Sequence, residues 1–184
     1  PYHGNITSYN GSTFTRLLHN SSSGPNGSVF ALSGYAGYLF IGGSFETTGM
    51  GFDSRNIVAW NISSNTWANV GSLDKASGAS AVYGLHLGDA SMGNSTIYAA
   101  GSFDRSGSTP LKNAARWQNL QIWTSVGTGA GSDLNDIAYA VAEHNGFSYY
   151  GGQFTEAANS STRIPLSGIA RWSSATNWTR LDNG

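Results

Sequence analysis

The sequence predicts an all-β protein built from repeated four-stranded antiparallel units, with very little helix. Short runs rich in β-branched and aromatic residues alternate with turns rich in Gly, Ser and Asn, as is typical of strands and hairpins. No segment shows a sustained 3.6-residue apolar period with capping residues, which an amphipathic helix requires. Similar groups of residues recur at intervals of 51 to 57 residues, which indicates one structural unit repeated along the chain.

The first half of each unit consists of two strands, and the second strand ends in a Gly-rich segment followed by Phe. The first strands are Val29-Phe30-Ala31-Leu32, Val82-Tyr83-Gly84-Leu85 and Ala138-Tyr139-Ala140-Val141. The Gly-rich segments and the residues that follow them contain Gly42, Gly43 and Phe45, then Gly101 and Phe103, then Gly151, Gly152 and Phe154. Glycine allows a tight bend and a close approach of neighbouring backbone or rings, and we expect each Phe to turn inward.

The second half of each unit carries two aromatic residues on consecutive strands of one hairpin. The pairs are Tyr9 with Phe14, Trp60 with Trp67, Trp117 with Trp123, and Trp172 with Trp178. Because the pairs recur at one framework position, we expect them to pack within or between units. The alternative is an exposed row of indoles that stacks on sugar rings.

A period of about 50 residues with four strands is typical of a β-propeller blade. The chain then holds about three and a half blades, as a half blade over 1–28 and blades over 29–81, 82–136 and 137–184. Propellers close with about 4 to 8 blades, and unclosed β edges are prone to pairing. We therefore expect one continuous array, completed by adjoining repeats of a larger protein, by a second copy, or by strand sharing in a filament.

Three motifs carry a resemblance to known repeats: Ile41-Gly42-Gly43-Ser44-Phe45, Val58-Ala59-Trp60 and Thr66-Trp67. They resemble kelch-type propeller repeats and, more closely, the ectodomain repeats of Rax2-type fungal cell-polarity glycoproteins, over about residues 6–181. Kelch repeats place the Gly pair close to the Trp, whereas 14 to 18 residues separate the Phe from the first Trp here. The resemblance therefore favours the Rax2-like group and implies a propeller fold in a cell-surface protein.

The sequence also predicts an N-glycosylated protein of the cell surface or extracellular space. Eight Asn-X-Ser/Thr sequons occur, where the composition alone would give roughly 3 to 4; they begin at Asn5, Asn10, Asn20, Asn26, Asn61, Asn94, Asn159 and Asn177. Only 10% of the residues are charged, against about 25% in an average protein, and glycans would supply the missing solubility. The alternative is that a surface rich in Asn, Ser and Thr forms sequons by composition alone.

Several classes of function are excluded or disfavoured by composition. The net charge of −1 provides no basic field for nucleic acid or anionic lipid, and no apolar run reaches the length of a membrane span. Cysteine is absent, so disulfides, thiolate metal sites and the cross-linked Cys–Tyr copper centre of kelch-fold oxidases are excluded; secretion is not. No catalytic or cofactor motif is present.

The remaining polar candidates are weak. No two of the four His (His3, His19, His86 and His144) have a metal-ligand spacing, and Asp133 and Asp136 are expected in a polar turn. We predict no cofactor and no metal. Variable segments at 46–56, 104–113 and 155–168 carry charges such as Arg55, Arg105 and Arg163. They are expected to be either a polar binding rim or ordinary solvated loops.

The function predicted from the sequence is therefore structural or interactive rather than enzymatic. The chain is expected to bind other copies of itself or adjoining repeats and to carry N-linked glycans. Two alternatives remain open: a carbohydrate-binding propeller, and a hydrolase or oxidase of propeller fold.

Overall fold

The computed structural model describes residues 6–18, 24–46, 52, 54–88, 96–118, 122–127, 133–159 and 161–181. Within these ranges the chain forms eighteen β-strands and no helix. Twelve of the strands form three four-stranded sheets, in which every strand pair is antiparallel. The predictions of an all-β fold and of repeated four-stranded antiparallel sheets are confirmed.

The strands follow one another in a regular order. A leading hairpin consists of β1 (Thr7–Tyr9) and β2 (Phe14–Arg16). The first sheet contains β3 (Ser28–Tyr35), β4 (Tyr38–Ser44), β5 (Ile57–Asn61) and β6 (Thr66–Ala68). The second sheet contains β7 (Ala81–Leu87), β8 (Ile97–Ser102), β11 (Ala114–Gln118) and β12 (Ile122–Ser125), and the separate hairpin of β9 (Arg105–Ser106) and β10 (Thr109–Pro110) lies between β8 and β11 in the sequence. The third sheet contains β13 (Ala138–His144), β14 (Phe147–Gly152), β17 (Ile169–Ser173) and β18 (Asn177–Thr179). The separate hairpin of β15 (Glu156–Asn159) and β16 (Thr162–Pro165) lies between β14 and β17 in the sequence.

Each sheet joins two hairpins of different character. The Gly-rich hairpins are β3–β4, β7–β8 and β13–β14, and the aromatic hairpins are β5–β6, β11–β12 and β17–β18. In every sheet the second strand pairs with the third, so the sequence order is also the spatial order. The leading hairpin β1–β2 is a fourth aromatic hairpin, since Tyr9 lies opposite Phe14 just as Trp60 lies opposite Trp67.

A bulge recurs in the first strand of each sheet. The register of the pairing shifts by one residue at Phe30, Tyr83 and Tyr139, which leaves each aromatic residue outside the regular ladder. The ring centroids of Phe30 and Tyr83 are 5.5 Å apart, and those of Tyr83 and Tyr139 are 5.3 Å apart. The bulges therefore align three aromatic rings in a row across the three sheets.

The hydrophobic core lies between successive units rather than at one centre. One cluster joins the rear of the first sheet, including Phe40 and Ile57, to the front of the second, including Val82 and Ile97. A second cluster joins the second sheet to the third, and a third joins Ile6 of the leading hairpin to the first sheet. We call the face toward the preceding unit the front face and the opposite face the rear face.

A turn residue with a positive φ angle precedes the third strand in each sheet. Asn56 and Asn113 have φ angles of 65° and 62°, and Gly168 has a φ of 77° at the matching position. Asn56 accepts the Phe45 N–H through Oδ1 and donates through Nδ2 to the Leu73 carbonyl, at 3.2 and 2.8 Å. These bonds hold the Gly-rich strand, the aromatic strand and the following segment together.

The segments 104–113 and 155–168 differ from the sequence prediction of loops. They contain the short hairpins β9–β10 and β15–β16. The backbone of these hairpins bonds to the segment that leaves the preceding unit, since Arg105 forms a bridge with Asp74 and Ala157 with Leu134. Contacts with the preceding unit therefore stabilise strands in segments whose sequence shows no strand pattern.

Candidate interaction surfaces

The aromatic pairs inside the array are covered by the unit before them. The Trp123 Nε1–H donates to the Val70 carbonyl at 2.8 Å, and the Arg116 guanidinium lies 5.2 Å from the centre of the Trp172 ring. Trp67 lies so close to Gly24 that a Cβ added there would be 2.6 Å from the ring. The front face of each aromatic hairpin is thus a contact surface.

The aromatic pair of the leading hairpin is the exception. Phe14 is 74% exposed, whereas Trp67, its counterpart in the first sheet, is 6% exposed. Tyr9 and Phe14 stack on each other with centroids 4.6 Å apart. Within the described part of the chain, no unit covers the front face of this hairpin.

The rear face of the third sheet is open at the positions that are buried in the other sheets. Ile57 and Ala114 begin the third strand of their sheets and are 0% exposed, whereas Ile169 at the matching position is 50% exposed. A Cβ on Gly42 would clash with Val82 of the next sheet, whereas one on the matching Gly151 would meet nothing within 4 Å. A cavity of about 270 Å³ lies beside this surface, lined by Pro165, Leu166, Ser167, Ile169, Arg180 and Leu181.

A third open surface lies at the front of the Gly-rich hairpin of the first sheet. Leu32 is 51% exposed there, and Val29 and Leu39 are only partly buried. The counterparts of Val29 and Leu39 in the second sheet, Val82 and Ile97, are fully buried, and Leu85, the counterpart of Leu32, is partly buried. Between this surface and the leading hairpin lies a groove of about 570 Å³, lined by Thr7, Ser8, Thr15, Arg16, Leu17, Leu18, Leu39, Trp60, Ile62 and Asn65. We call it the inner groove.

The structure places the remaining repeat residues inside the array. Phe45, Phe103 and Phe154 are buried, at 3%, 0% and 0% exposure. A Cβ on Gly43, Gly101 or Gly152 would lie within 2.3 Å of a backbone oxygen. Every Trp is buried except Trp117, which is partly buried against Phe40 and Tyr35.

The charged residues of the variable segments lie in two kinds of surroundings. The Asp74 carboxylate is buried and binds Arg55 at 3.0 Å and Arg105 at 2.9 Å. Arg163 and Glu156 pair at 3.1 Å, with both side chains largely exposed. Arg55 and Arg105 thus fix one unit to the next, whereas the Arg163 pair belongs to a solvated surface.

The acidic pair predicted in a polar turn is split by the structure. Asp133 is buried and accepts a 2.7 Å hydrogen bond from the Ser125 hydroxyl, and burial raises the pKa of its carboxyl. Asp136 is exposed and accepts the Ile137 N–H at 2.7 Å. Among the described residues, no three His, Asp or Glu side chains are grouped in a way that would hold a metal ion.

The histidines are spread over the chain. His86 lies on β7 and His144 on β13, whereas His3 and His19 lie outside the described residues. The part of the chain that the structure describes contains no helix long and apolar enough to cross a membrane.

The sequons differ in how their amide groups are used. Asn10 and Asn26 are exposed, and Asn61, Asn159 and Asn177 are partly buried; Asn5, Asn20 and Asn94 lie outside the described residues. The Oδ1 atoms of Asn10 and Asn61 accept backbone N–H groups in local turns, which leaves Nδ2, the glycan-bearing atom, out of those bonds. The Nδ2 of Asn159 instead donates to the Trp178 carbonyl at 2.9 Å.

Comparison with known proteins adds no assignment. No protein-family model matches the chain, and no curated protein is found to be similar to it. The candidate surfaces therefore rest on the positions of the residues alone. Sequence reasoning placed Leu32 in a strand but did not predict that Leu32, Ile169 and Leu181 are exposed, because matching residues of the repeat differ in exposure only in the structure.

Proposed function

We propose that the chain is an array of propeller-type blades with a structural, protein-binding role and no enzymatic activity. One observation carries the proposal: positions that are buried between units inside the array are exposed at both of its ends. The contacts that would bury them are with repeats of the same kind, either adjoining repeats or another copy of the chain. The array would thereby form a larger closed or extended assembly.

Three features support the blade assignment. Each sheet is a four-stranded antiparallel meander, and successive sheets pack face to face. The first strands of neighbouring sheets lie side by side, with Phe30, Tyr83 and Tyr139 in one row. Propeller blades are arranged in this manner, with their first strands nearest to a common axis.

The energetics favour an interaction role for the end surfaces. Removing a large apolar side chain from water stabilises a complex by about 1.5 to 3 kcal/mol before the costs of association. Tyr9 and Phe14 at one end, and Ile169 and Leu181 at the other, are all large and exposed. Side chains grouped in this way mark protein contact sites more often than isolated surface residues do.

We further propose that the protein is an extracellular or cell-surface glycoprotein related to the kelch-like and Rax2-type repeats. The eight sequons, the low charge and the repeat motifs support this. Glycopeptide mapping of the native protein tests it, with attachment expected at exposed Asn10 and at Asn61. A native protein without any N-linked glycan would contradict this part of the proposal.

Sedimentation velocity over a range of concentrations tests the interaction role. The chain is expected to self-associate through one front end and one rear end, and Phe14→Asp or Ile169→Asp should each abolish association. Ile122→Asp is the matched control, because Ile122 is 52% exposed but lies on the middle sheet. A mixture of the two end variants should form dimers but no larger species, because Phe14→Asp retains an intact rear surface and Ile169→Asp an intact front surface.

Two results would contradict self-association through the ends. One is a wild-type chain that remains a stable monomer at all concentrations. The other is an Ile122→Asp variant that loses association as fully as the end variants do.

A further inference from the structure

We infer that the inner groove is a binding site for a Gly-rich β-hairpin, which packs on the first sheet and adds to the edge of β1 that is unpaired among the described residues. The inference deepens the proposed interaction role and rests on it. The occupant is identified by its chemistry: a two-stranded hairpin with a bulged aromatic residue in one strand and small residues in the other. The hairpins β3–β4, β7–β8 and β13–β14 show this chemistry, but each already pairs with the third strand of its own sheet, so the occupant is a hairpin of the same kind whose second strand is unpaired.

The edge of β1 provides the main-chain part of the site. In each four-stranded sheet the third strand pairs on one side with the fourth strand and on the other with the Gly-rich strand. The matching strand β1 pairs with β2 alone among the described residues. Exposed strand edges recruit a further strand through backbone hydrogen bonds.

The front of the first sheet provides the side-chain part. Its outer half is covered by the leading hairpin, where Ile6 and Leu17 pack on Ile41, Val58 and Trp60. Its inner half is less well covered: Leu32 is exposed, and Val29 and Leu39 are only partly buried at the edge of the same cluster. The leading hairpin therefore covers the part of the first sheet that faces an aromatic hairpin. No Gly-rich hairpin lies beside it among the described residues.

The contact between the first two sheets shows what fits this place. Gly42 lies against Val82 and Leu85, at 2.6 and 3.2 Å from an added Cβ, and these two residues match Val29 and Leu32. Phe40 packs edge-on to Trp117 with centroids 5.1 Å apart, and Trp117 matches Trp60 in the groove. Among the described residues, Val29 and Leu32 thus lack the covering glycine-bearing strand that Val82 and Leu85 have, whereas Trp60 is already buried by the leading hairpin.

The register of the bound strand follows from the same contact. Leu39 lies opposite Trp60 and Ile41 opposite Val58 in the first sheet. Because Tyr9 and Thr7 match Trp60 and Val58, a bound strand should place its Leu opposite Tyr9 and its Ile opposite Thr7. Its glycine then faces Val29 and Leu32, where a larger side chain would clash.

A synthetic peptide with the sequence of residues 28–45, carrying a fluorescent label and a solubilising Lys tail, is the probe. Titration of the whole protein should give saturable binding by fluorescence anisotropy. Hydrogen exchange should slow at the amides of Thr7–Tyr9, because they gain strand partners. Leu32→Lys in the protein should weaken binding by about tenfold or more, which corresponds to about 1.4 kcal/mol, whereas Ile122→Lys should leave it unchanged.

A matched pair of peptide variants tests the fit of the small residue. Gly42→Val in the peptide should weaken binding by about tenfold or more through overpacking. Gly34→Val should bind like the parent peptide, since an added Cβ at Gly34 meets nothing within 4 Å. If the free peptide aggregates, the same hairpin is fused ahead of Pro1 through a flexible linker. The fusion should raise the urea midpoint, and its Gly42→Val form should not.

Binding without protection of Thr7–Tyr9, or equal binding by both peptide variants, would overturn the inference. So would a fused hairpin that leaves the urea midpoint unchanged. These failures are distinct from failure of the proposed function. The chain would still self-associate in a manner that depends on Phe14 and Ile169 if only the hairpin site were wrong.

Discussion

At the residue scale, the turn residues Asn56 and Asn113 are buried amides that bond to two or more groups in the core. The Asn56 amide binds the Phe45 N–H, the Leu73 carbonyl and the Ser80 hydroxyl while its own φ is positive. The sequence contains a signal for them, because Asn, Asn and Gly occupy one position in three units and all favour this conformation. This signal becomes visible only when the three units are aligned on their third strands, which begin directly after the turn residue.

Replacement of Asn56 separates its two contributions to stability. Asn56→Ala should lower the free energy of unfolding by about 3 kcal/mol, because it leaves buried hydrogen-bonding partners unsatisfied and strains the backbone. Asn56→Gly should cost about 1 kcal/mol less, because Gly adopts the positive φ freely. Urea denaturation of the two variants gives both values. Equal losses would show that backbone conformation contributes nothing at this position.

A second prediction at this scale concerns Asp133. Its carboxyl pKa is raised above the ordinary value of 3.8, chiefly by burial, while the Ser125 hydrogen bond opposes the shift. The folded protein therefore keeps this proton to a higher pH than the unfolded chain does. The contribution of Asp133 to the free energy of unfolding falls as the pH rises from the unfolded-state pKa through the folded-state pKa.

The variant Asp133→Asn lacks this titration and retains an oxygen acceptor for Ser125. The free energy of unfolding of the wild type minus that of the variant should therefore decrease from about pH 4 to about pH 7. Urea midpoints measured across that range provide the difference, in which the effects of all other carboxyl groups cancel. Parallel curves for the two proteins would contradict the assignment of the shift to Asp133.

At the scale of elements, the twelve sheet strands could be predicted because each unit repeats their pattern. The hairpins β9–β10 and β15–β16 could not, since strands of two to four residues gain their order from neighbouring units. β9 is held by Asp74, whose carboxylate binds Arg105 and whose N–H donates to the Arg105 carbonyl at 3.1 Å. Exposure at the ends is equally invisible in sequence, because Ile57 and Ile169 are the same residue in the same motif.

The buried Asp74 carboxylate adds to the backbone bonds that hold the hairpin β9–β10. Asp74→Ala should lower the free energy of unfolding by about 2 kcal/mol, since it removes bonds to Arg55 and Arg105 that are only partly screened by water. Glu156→Ala is the control, because its partner Arg163 is exposed and such pairs contribute at most about 1 kcal/mol. Thermal or urea unfolding compares them. Equal effects would mean that Asp74 behaves as a surface charge.

At the scale of the whole molecule, stability should depend on contacts between neighbouring sheets, as in other repeat proteins. Gly42 and Gly151 occupy the same position in the first and third sheets, and neither has a positive φ. They differ in that Gly42 faces Val82 of the next sheet, whereas Gly151 faces open space. The pair therefore compares a glycine at a contact between sheets with a glycine on an exposed face.

Gly42→Val should force the first and second sheets apart and lower the free energy of unfolding by about 2 to 3 kcal/mol. Gly151→Val should leave the isolated chain as stable as the wild type, within about 0.5 kcal/mol. If the rear face receives another repeat, however, Gly151→Val should abolish self-association in sedimentation velocity, because the new side chain occupies the space of the incoming strand. A Gly151→Val variant that is stable and still associates would place the partner elsewhere on the molecule.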